Sequence, residues 1–520
     1  MSSCSSQMDH AEGAPSDVHH GEQIESASLC HSPAKHMSLV EETAFVSSVL
    51  SAQFTAQFGL GQTLSILHII GDSFNITNPG VLSWLIAGYS LTIGSFILPS
   101  GRMGDVFGYK RMLLIGFTWH AIWALIAGFS VFSGHVLFIF ARVLGGIGPS
   151  ISLPNALALL GATYPPGLKK KFFFTLFAAL SPAGIVCGAA TSSLFALVWW
   201  PWTYWSTAMA LLLLTIAGSY TIPDPTRSTP PIKIASGKDA IRELDLMGAT
   251  VGIAALVLVN FAWNQAVVVG WQEPYVYVAL ILGLLLVPVF FYVEIRVSFA
   301  PLIPLDAMSA DVGFVLACLA CAWSSFGVWV YYIWQHFEII HGLSPLLATA
   351  WKSPVVPLGF IASAASGYLT GHLHPATLMI AAELFLLISA VLVVTSPPDQ
   401  IYWAQLFPCL LVAPFSLDLS FPAATLMMSN SVSREHQGIA ASLVNSVVNY
   451  GISIGLGFAG NVEQQAIKGE ENSFETTLKG YRAAWYFAIG LRGLGLVLSI
   501  AFRIKVNRGQ PPGDKDQACV

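Results

Sequence analysis

Long apolar stretches alternate with short polar segments along almost the whole chain. A helix needs about 20 apolar residues to cross the hydrocarbon core of a membrane, and about fourteen stretches reach that length. The predicted spans lie near residues 45–70, 81–103, 112–130, 136–162, 172–198, 204–222, 246–265, 274–296, 311–335, 346–366, 376–396, 402–428, 438–459 and 483–503. The apolar runs are continuous, which excludes a membrane β-barrel, whose strands alternate between lipid-facing and lumen-facing residues. The pattern therefore predicts an all-α integral membrane protein.

Polar segments divide the predicted spans into groups of six, two and six. The expected organisation is a disordered cytoplasmic tail at 1–44, a six-helix bundle at 45–222, a cytoplasmic linker at 223–245, two additional transmembrane helices at 246–298, a second six-helix bundle at 299–504 and a cytoplasmic tail at 505–520. The segment 100–105 at the cytoplasmic end of the second span is similar to the segment 366–371 at the equivalent end of the second bundle's second span, which lacks the acid and the bases. Two related halves around a site at mid-membrane are expected from such a repeat.

Composition agrees with this class. The 520 residues are 55% hydrophobic and only 10% charged, with a mean hydropathy of +0.67, which leaves too little charge to cover a soluble surface. The net charge of -5 and the scattered basic clusters exclude a nucleic-acid partner. Seven cysteines in tails and apolar segments predict no disulfide framework. Five histidines of the first tail lack the spacing of a tight ligand set, so no metal site is expected.

Basic residues predict the orientation of the chain in the membrane. With the N-terminus inside, seventeen lysines and arginines are cytoplasmic and three are external, as the positive-inside rule requires. The sequon at Asn75 then lies in the first external loop, where it could be glycosylated. Both termini are expected in the cytoplasm. The plasma membrane is the expected location, with the vacuolar membrane as the alternative.

A short turn after the second predicted span carries an unusual set of residues. It contains Gly101, Arg102, Asp105, Gly108, Lys110 and Arg111. The glycines allow two helix ends to approach closely, and Asp105 could then face the positively polarised start of another helix. A contact of this kind can form in one conformation and break in another, so the turn is interpreted as a conformational latch. The alternative is an ordinary flexible cytoplasmic turn.

This turn resembles a loop motif of the major facilitator superfamily, Gly-x-x-x-Asp-x-x-Gly-x-basic-basic. Arg142 followed by Gly145, Gly146 and Gly148 resembles the family's fourth-helix pattern. The segments 260–265, 420–424 and 436–445 look like the fungal aminotriazole-resistance type within the fourteen-helix drug:proton antiporters. The resemblance implies a major facilitator fold, with two six-helix bundles plus two additional helices between them. It also implies that Asp105 meets the chain near Gln437 and Gly438.

The family's antiporter signature on the fifth helix is matched only in part. Pro182, Gly184 and Gly188 fit it, whereas Ser181 stands where glycine is expected. This departure weakens the prediction of export rather than import and leaves the fold prediction unchanged.

Charged residues inside apolar spans are candidates for function, because burying a charge in a membrane is costly. Asp418 is the best carboxylate to load and release a proton, with a purely structural acid as the alternative. The resemblance gives Arg142 a role in proton coupling, and the alternative is an arginine that ties its helix to a carbonyl. Snorkelling to the membrane surface is expected for Lys352 and Arg492. Interfacial positions near cytoplasmic helix ends are expected for Glu294 and Glu383.

An amphipathic cavity between the bundles is expected to bind substrate. Gln53 and Gln57 are four residues apart and share one helix face. Aromatic surface is expected from Trp84 and Tyr89 on the second span and from Trp323 and Phe326 on the ninth. Such a lining suits apolar or weakly polar organic molecules. Hydrogen bonds between helices and simple ring packing are the alternative interpretation.

The sequence contains no Gly-x-x-x-x-Gly-Lys-Ser/Thr loop, so direct use of ATP is not expected. The resemblance favours a proton-coupled exporter of small organic molecules that works by alternating access. No cofactor is expected, because a proton gradient would supply the energy. The expected partners are the substrate, protons and lipid. The protein is expected to function as a monomer. An enzyme is not expected. The alternatives are proton-coupled uptake or vacuolar transport of an amino acid or similar nutrient, and a membrane sensor that no longer transports.

Overall fold

Helices form nearly all of the described structure. The computed structural model describes residues 37–76, 78–165, 167–223, 243–303, 310–430, 437–471 and 473–509. Four predicted features therefore lie outside the described residues, in whole or in part: the two tails, most of the linker, and Thr77 of the sequon. The predicted division into domains stays a prediction.

Eight α-helices are described in the first half of the chain. They are α1 (Leu39–Leu64), α2 (Leu67–Ser73), α3 (Pro79–Phe107), α4 (Tyr109–Phe129), α5 (His135–Gly145), α6 (Ile147–Thr163), α7 (Leu168–Ala196) and α8 (Trp202–Thr221).

Nine further α-helices are described in the second half. They are α9 (Leu246–Val269), α10 (Pro274–Arg296), α11 (Ala310–Gln335), α12 (Pro345–Lys352), α13 (Val355–Leu369), α14 (Pro375–Val394), α15 (Leu406–Asn430), α16 (Gln437–Ala466) and α17 (Phe474–Gly509). A short π-helical turn, His336–Ile340, follows α11.

Three predicted spans are each broken into two helices. The span predicted at 45–70 becomes α1 and α2, and it begins earlier because Ser38 and Glu41 form a capping box at the start of α1. The span at 136–162 breaks at Gly146, which packs directly on the backbone carbonyl of Tyr89. The span at 346–366 breaks before Pro354, whose ring removes a backbone donor. Apolar length alone does not reveal such breaks.

Twelve of the described helical segments are long and apolar enough to cross a membrane. The long helices α1 and α8 are not among these twelve. Helix α1 contains serine, threonine and glutamine at many positions, and these lower its apolar character. The structure therefore supports a multi-pass helical membrane protein with twelve candidate spans, and the count of fourteen stays a prediction.

The two halves meet along small side chains. Helix α3 of the first half packs against α16 of the second, and α7 packs against α13. Ser446 donates a hydrogen bond to the carbonyl of Gly94 at 2.5 Å, and Ser453 donates to Ala87 at 2.8 Å. A side chain at Gly94 would collide with the backbone of Tyr450. Small residues and hydrogen bonds of this kind hold helices together in lipid.

The two additional helices pack beside this interface. Tyr450 of α16 donates a hydrogen bond to the carbonyl of Leu256 on α9 at 3.0 Å. Helix α10 packs on α9, and its other face exposes large apolar side chains such as Ile281, Leu285 and Val289. An apolar exposed face on a helix of this length is suited to contact with lipid.

Candidate functional site

A cavity lies between the two halves and is partly open to solvent. Eight helices contribute to its wall. Its polar lining residues are Gln53, Gln57, Ser181, Lys352, Asp418, Asn445 and Asn449. Aromatic rings of Trp323, Phe326 and Trp329 form much of the remaining wall. A mostly apolar cavity with a few polar groups matches the general character of sites for small organic ligands.

Small residues and a proline on α7 shape one wall of the cavity. A side chain at Gly184 would lie 2.6 Å from the carbonyl of Phe54, and Gly188 is equally close to Phe58. Helices α1 and α7 therefore approach closely, which places Gln53 and Gln57 beside α7. Pro182 lines the cavity and packs against Gly359 of α13. The glycines predicted to belong to an antiporter motif thus act here in helix packing.

Asp418 lies in α15 and lines the cavity with only 7% of its surface exposed. Ser363 of α13 donates a hydrogen bond to its Oδ1 atom at 2.9 Å. Pro414 and Pro422 lie within α15 on either side of it. Asp418 is the one acidic side chain among the described residues that line this cavity.

Arg142 lies away from the cavity wall, inside the first bundle. Its Nε atom donates to the carbonyl of Leu85 at 3.2 Å, and its NH2 atom donates to Gly59 at 2.8 Å. The guanidinium group lies 4.2 Å from the centre of the Tyr89 ring. Arg142 therefore joins α5 to both α1 and α3, which is the structural role weighed as an alternative above. The structure does not bring Arg142 together with Asp418.

Two of the six predicted cavity residues do not line this cavity. Trp84 packs on Phe261 of α9 with ring centres 5.7 Å apart. Tyr89 donates a hydrogen bond to the carbonyl of Ala56 at 3.0 Å and lies beside Arg142. The prediction was wrong for these two residues because an apolar helix gives no sign of which face turns inward. Gln53, Gln57, Trp323 and Phe326 do lie in the wall.

Arg492 and Glu383, which were expected to reach the membrane surface, are instead buried inside the protein. Arg492 is only 1% exposed, and it donates to Glu383 at 2.8 Å and to the carbonyl of Ala322. Glu383 is completely buried, so the two opposite charges satisfy each other between α14 and α17. Glu294 is also buried and accepts a hydrogen bond from the backbone of Ile303 at 3.2 Å.

Lys352 is likewise buried rather than snorkelling. It is 3% exposed, and its ammonium nitrogen lies 4.7 Å from the centre of the Trp334 ring and 5.3 Å from that of Trp329. The two tryptophan rings hold it in the wall of the cavity. A single lysine in an apolar span marked Lys352 as a candidate in the sequence. The sequence could not show that Trp329 and Trp334 are its neighbours.

The turn predicted as a latch connects α3 to α4. Gly108 has a φ of +95°, which favours glycine, and marks the end of α3. Asp105 is exposed and accepts a hydrogen bond from Tyr109 at 2.6 Å, while Arg102 donates to the carbonyl of Ala300 at 3.2 Å. Gly101 packs beside Ser442 near the start of α16. The predicted contact of Asp105 falls on side chains at the start of α16 that lie outside the described residues.

Hydrogen bonds join the two halves at one end of the cavity. His68 of α2 is hydrogen-bonded to Gln335 of α11. Ser193 of α7 and Thr349 of α12 share a second hydrogen bond at 3.4 Å. Both bonds lie at the helix ends predicted to be external. They link the halves across that end, whereas Asp418 and Asn445 line the cavity from the halves of α15 and α16 that are predicted to be internal.

Sequence reasoning missed several polar residues of the wall. Asn445 and Asn449 are four residues apart on α16, and that spacing could have identified them as one polar face. Ser363, the partner of Asp418, carries no such signal, because a single serine is unremarkable in a membrane helix.

Similarity to known proteins agrees with this architecture. The chain is 48% identical over 467 residues to a low affinity ammonium transporter of Saccharomyces cerevisiae, covering 89% of each chain. It is 40% identical to efflux pump terJ of Aspergillus terreus, covering 95% of this chain and 96% of the pump. It is 32% identical to the aminotriazole resistance protein of Saccharomyces cerevisiae, covering 93% and 88% of the two chains.

The fold is also that of solved transporters. The crystal structure of the peptide transporter POT in complex with sulfate superposes with a TM-score of 0.62 at 13% identity, covering 89% of this chain and 94% of that one. The family profile of the Major Facilitator Superfamily matches residues 49–456. The chain therefore belongs to the major facilitator superfamily, and it is related within that superfamily to drug-efflux transporters of the aminotriazole-resistance type.

Proposed function

We propose that this transporter exports small organic molecules in exchange for protons by alternating access. The observation that carries the proposal is the position of Asp418, a buried carboxylate in the wall of the central cavity. A carboxylate there can accept a proton from one side of the membrane and release it to the other. One proton moving through 100 mV supplies about 2.3 kcal/mol, which is enough to drive accumulation.

The relatives support export in particular. The efflux pump terJ and the aminotriazole resistance protein each match nearly the whole chain. The cavity agrees with an organic cargo, because tryptophan and phenylalanine rings cover much of its wall. The proposed cargo is a drug, a toxin or a secondary metabolite of modest size.

The proposed membrane topology has fourteen crossings with both termini in the cytoplasm. Helix α1 has 26 residues and α8 has 20, which correspond to lengths of about 39 Å and about 30 Å. Both are long enough to cross the hydrocarbon core, and both pack within the first bundle. Under this topology the hydrogen bonds of His68 and Thr349 close the cavity on its external side. We place the protein in the plasma membrane, acting as a monomer.

Proton binding at Asp418 would change contacts between helices. The bond from Ser363 links α13 to α15, and a protonated carboxyl group accepts it less strongly. Small residues between α3 and α16 allow the halves to rock against each other. Arg142 would move with α1, α3 and α5 as one unit, and Asp105 would stabilise one of the two end states. These are the roles that we assign to the predicted coupling and latch residues.

A second candidate function is uptake of ammonium or a related small nutrient. It is favoured by the 48% identity to the low affinity ammonium transporter. The buried cation Lys352 in the cavity wall disfavours a cationic cargo, since like charges repel. Labelled methylammonium separates the two candidates. Uptake into protein-containing vesicles above that into protein-free vesicles would favour the second candidate, and equal uptake would favour the first.

The test of the first candidate is proton flux in sealed vesicles. The purified protein is reconstituted with a pH-sensitive dye inside, and a panel of azoles, permanent organic cations and amino acids is added under an imposed pH gradient. We expect proton movement that depends on the compound and is lost in Asp418→Asn. Asp399→Asn, at an exposed position outside the cavity wall, is the matched control and should behave as wild type. Equal flux in wild type and Asp418→Asn would contradict the role of Asp418.

A further inference from the structure

The ammonium group of Lys352 has no hydrogen-bond acceptor among the described protein atoms. It is 97% buried, and the faces of Trp329 and Trp334 are its near neighbours. Tryptophan faces attract a cation but cannot accept its three hydrogen bonds in full. The ammonium group therefore lacks hydrogen-bond acceptors until a molecule bound in the cavity supplies them.

A second donor in the same wall is also without an acceptor. The indole Nε1 atom of Trp323 is buried and makes no hydrogen bond to any described residue. Trp323 and Lys352 both line the cavity, so the wall presents two different donors that lack acceptors. An anionic oxygen on a bound molecule would satisfy Lys352, and a second acceptor elsewhere on the molecule would satisfy Trp323.

The rings between these two donors form a continuous aromatic surface. The ring centres of Trp323 and Phe326 are 5.4 Å apart, and those of Phe326 and Trp329 are 6.2 Å apart with nearly parallel planes. The Trp329 ring then contacts Lys352. A planar aromatic ligand could lie along this surface with its charged end near the ammonium group.

We propose that Lys352 forms an anion subsite, and that the cargo class is the planar organic acid carrying a carboxylate or phenolate. The proposal rests on the proposed function, since it names the substrate class of the same cavity. Asp418 does not fill this role for Lys352, because the structure pairs its Oδ1 atom with Ser363 instead. Among the described residues of the wall, Lys352 is the single basic side chain, so one substitution removes the attraction.

The test is equilibrium binding to the full-length protein in lipid nanodiscs at neutral pH, without any gradient. Three probes of nearly equal shape are compared by calorimetry: salicylate, its neutral amide salicylamide, and the cation benzylamine. Equilibrium binding is used because weak acids and amines dissipate pH gradients by themselves. The variants are Lys352→Met, Lys352→Arg and, as the matched control at an exposed site, Lys479→Met.

We expect wild type to bind salicylate at least about tenfold more tightly than salicylamide, and benzylamine least of all. Lys352→Met should abolish this preference while keeping its affinity for salicylamide, and Lys352→Arg should retain the preference. Lys479→Met should match wild type. Equal binding of salicylate and salicylamide by wild type overturns the proposal. The proposal is also overturned if Lys352→Met keeps the preference for the anion, or if that variant loses affinity for salicylate and salicylamide equally.

The outcome can be separated from that of the proposed function. Anion-selective binding through Lys352 without coupled proton flux would refute proton-driven export and leave the subsite standing. Coupled transport of neutral or cationic compounds, together with no preference for anions, would refute the subsite and leave proton-driven export standing.

Discussion

The buried pair of Arg492 and Glu383 allows a quantitative prediction about stability. The two side chains are 1% and 0% exposed and are joined by a 2.8 Å hydrogen bond. Glu383 Oε1 has no other donor among the described residues, so Arg492→Met would leave its carboxylate buried and unpaired. Loss of one partner from a buried pair typically costs about 3–5 kcal/mol.

The cost can also be worked from protonation. To avoid a buried unpaired charge, the carboxyl group in Arg492→Met must take up a proton. Holding a glutamic acid with an ordinary pKa of about 4.3 neutral at pH 7 costs about 3.7 kcal/mol. The unfolded state binds fewer protons than the folded variant in this range, so the penalty grows by about 1.4 kcal/mol for each pH unit above about 5. Arg492→Met should therefore be more strongly destabilised at pH 7 than at pH 5.

Thermal unfolding of the purified protein in detergent measures this effect. We expect Arg492→Met to unfold well below wild type at pH 7 and to recover much of the difference at pH 5. The double variant Arg492→Met with Glu383→Leu removes both charges and should lie closer to wild type than the single variant. A single variant as stable as wild type at pH 7, or a double variant that loses the sum of both single effects, would refute the pairing.

Three further predictions concern other regions of the fold. Asp245 caps α9 from a left-handed conformation with a φ of 42°, which asparagine also tolerates. Asp245→Asn should therefore keep the wild-type melting temperature. Asp245→Ala removes the capping oxygen and should lower the free energy of unfolding by about 1–2 kcal/mol. Lys169 forms an exposed ion pair with Glu42 at 2.6 Å, so thermal unfolding of Lys169→Met should show a loss below about 1 kcal/mol. Gly94→Val should separate α3 from α16 at Tyr450 and abolish vesicle transport, and activity equal to wild type would show that this close contact is dispensable.

Much of the fold could be predicted from the sequence because a membrane imposes a simple rule. Each crossing needs a long apolar run, so most helices of the structure were located to within a few residues. The start of α1 was placed too late, because its first turn is polar and held by the capping box of Ser38 and Glu41. Breaks at Gly146 and Pro354 were missed because tertiary contacts and backbone geometry decide them.

The site was less predictable, since it depends on pairs that are distant in the sequence. Gln53 and Gln57 were identified because their spacing alone puts them on one face. Glu383 and Arg492 are 109 residues apart, and only the packing of α14 on α17 shows that they neutralise each other. Trp84 was placed wrongly because its neighbour Phe261 belongs to an additional helix whose position no sequence pattern indicates.

The central claim is that Asp418 couples substrate movement to protons. The most direct measurement compares two activities of Asp418→Asn in the same vesicles: accumulation of a labelled substrate driven by a pH gradient, and exchange of that substrate at equal concentrations without a gradient. We predict that Asp418→Asn loses accumulation and keeps exchange, because asparagine fills the same space but carries no proton. Accumulation equal to wild type in Asp418→Asn would contradict the account.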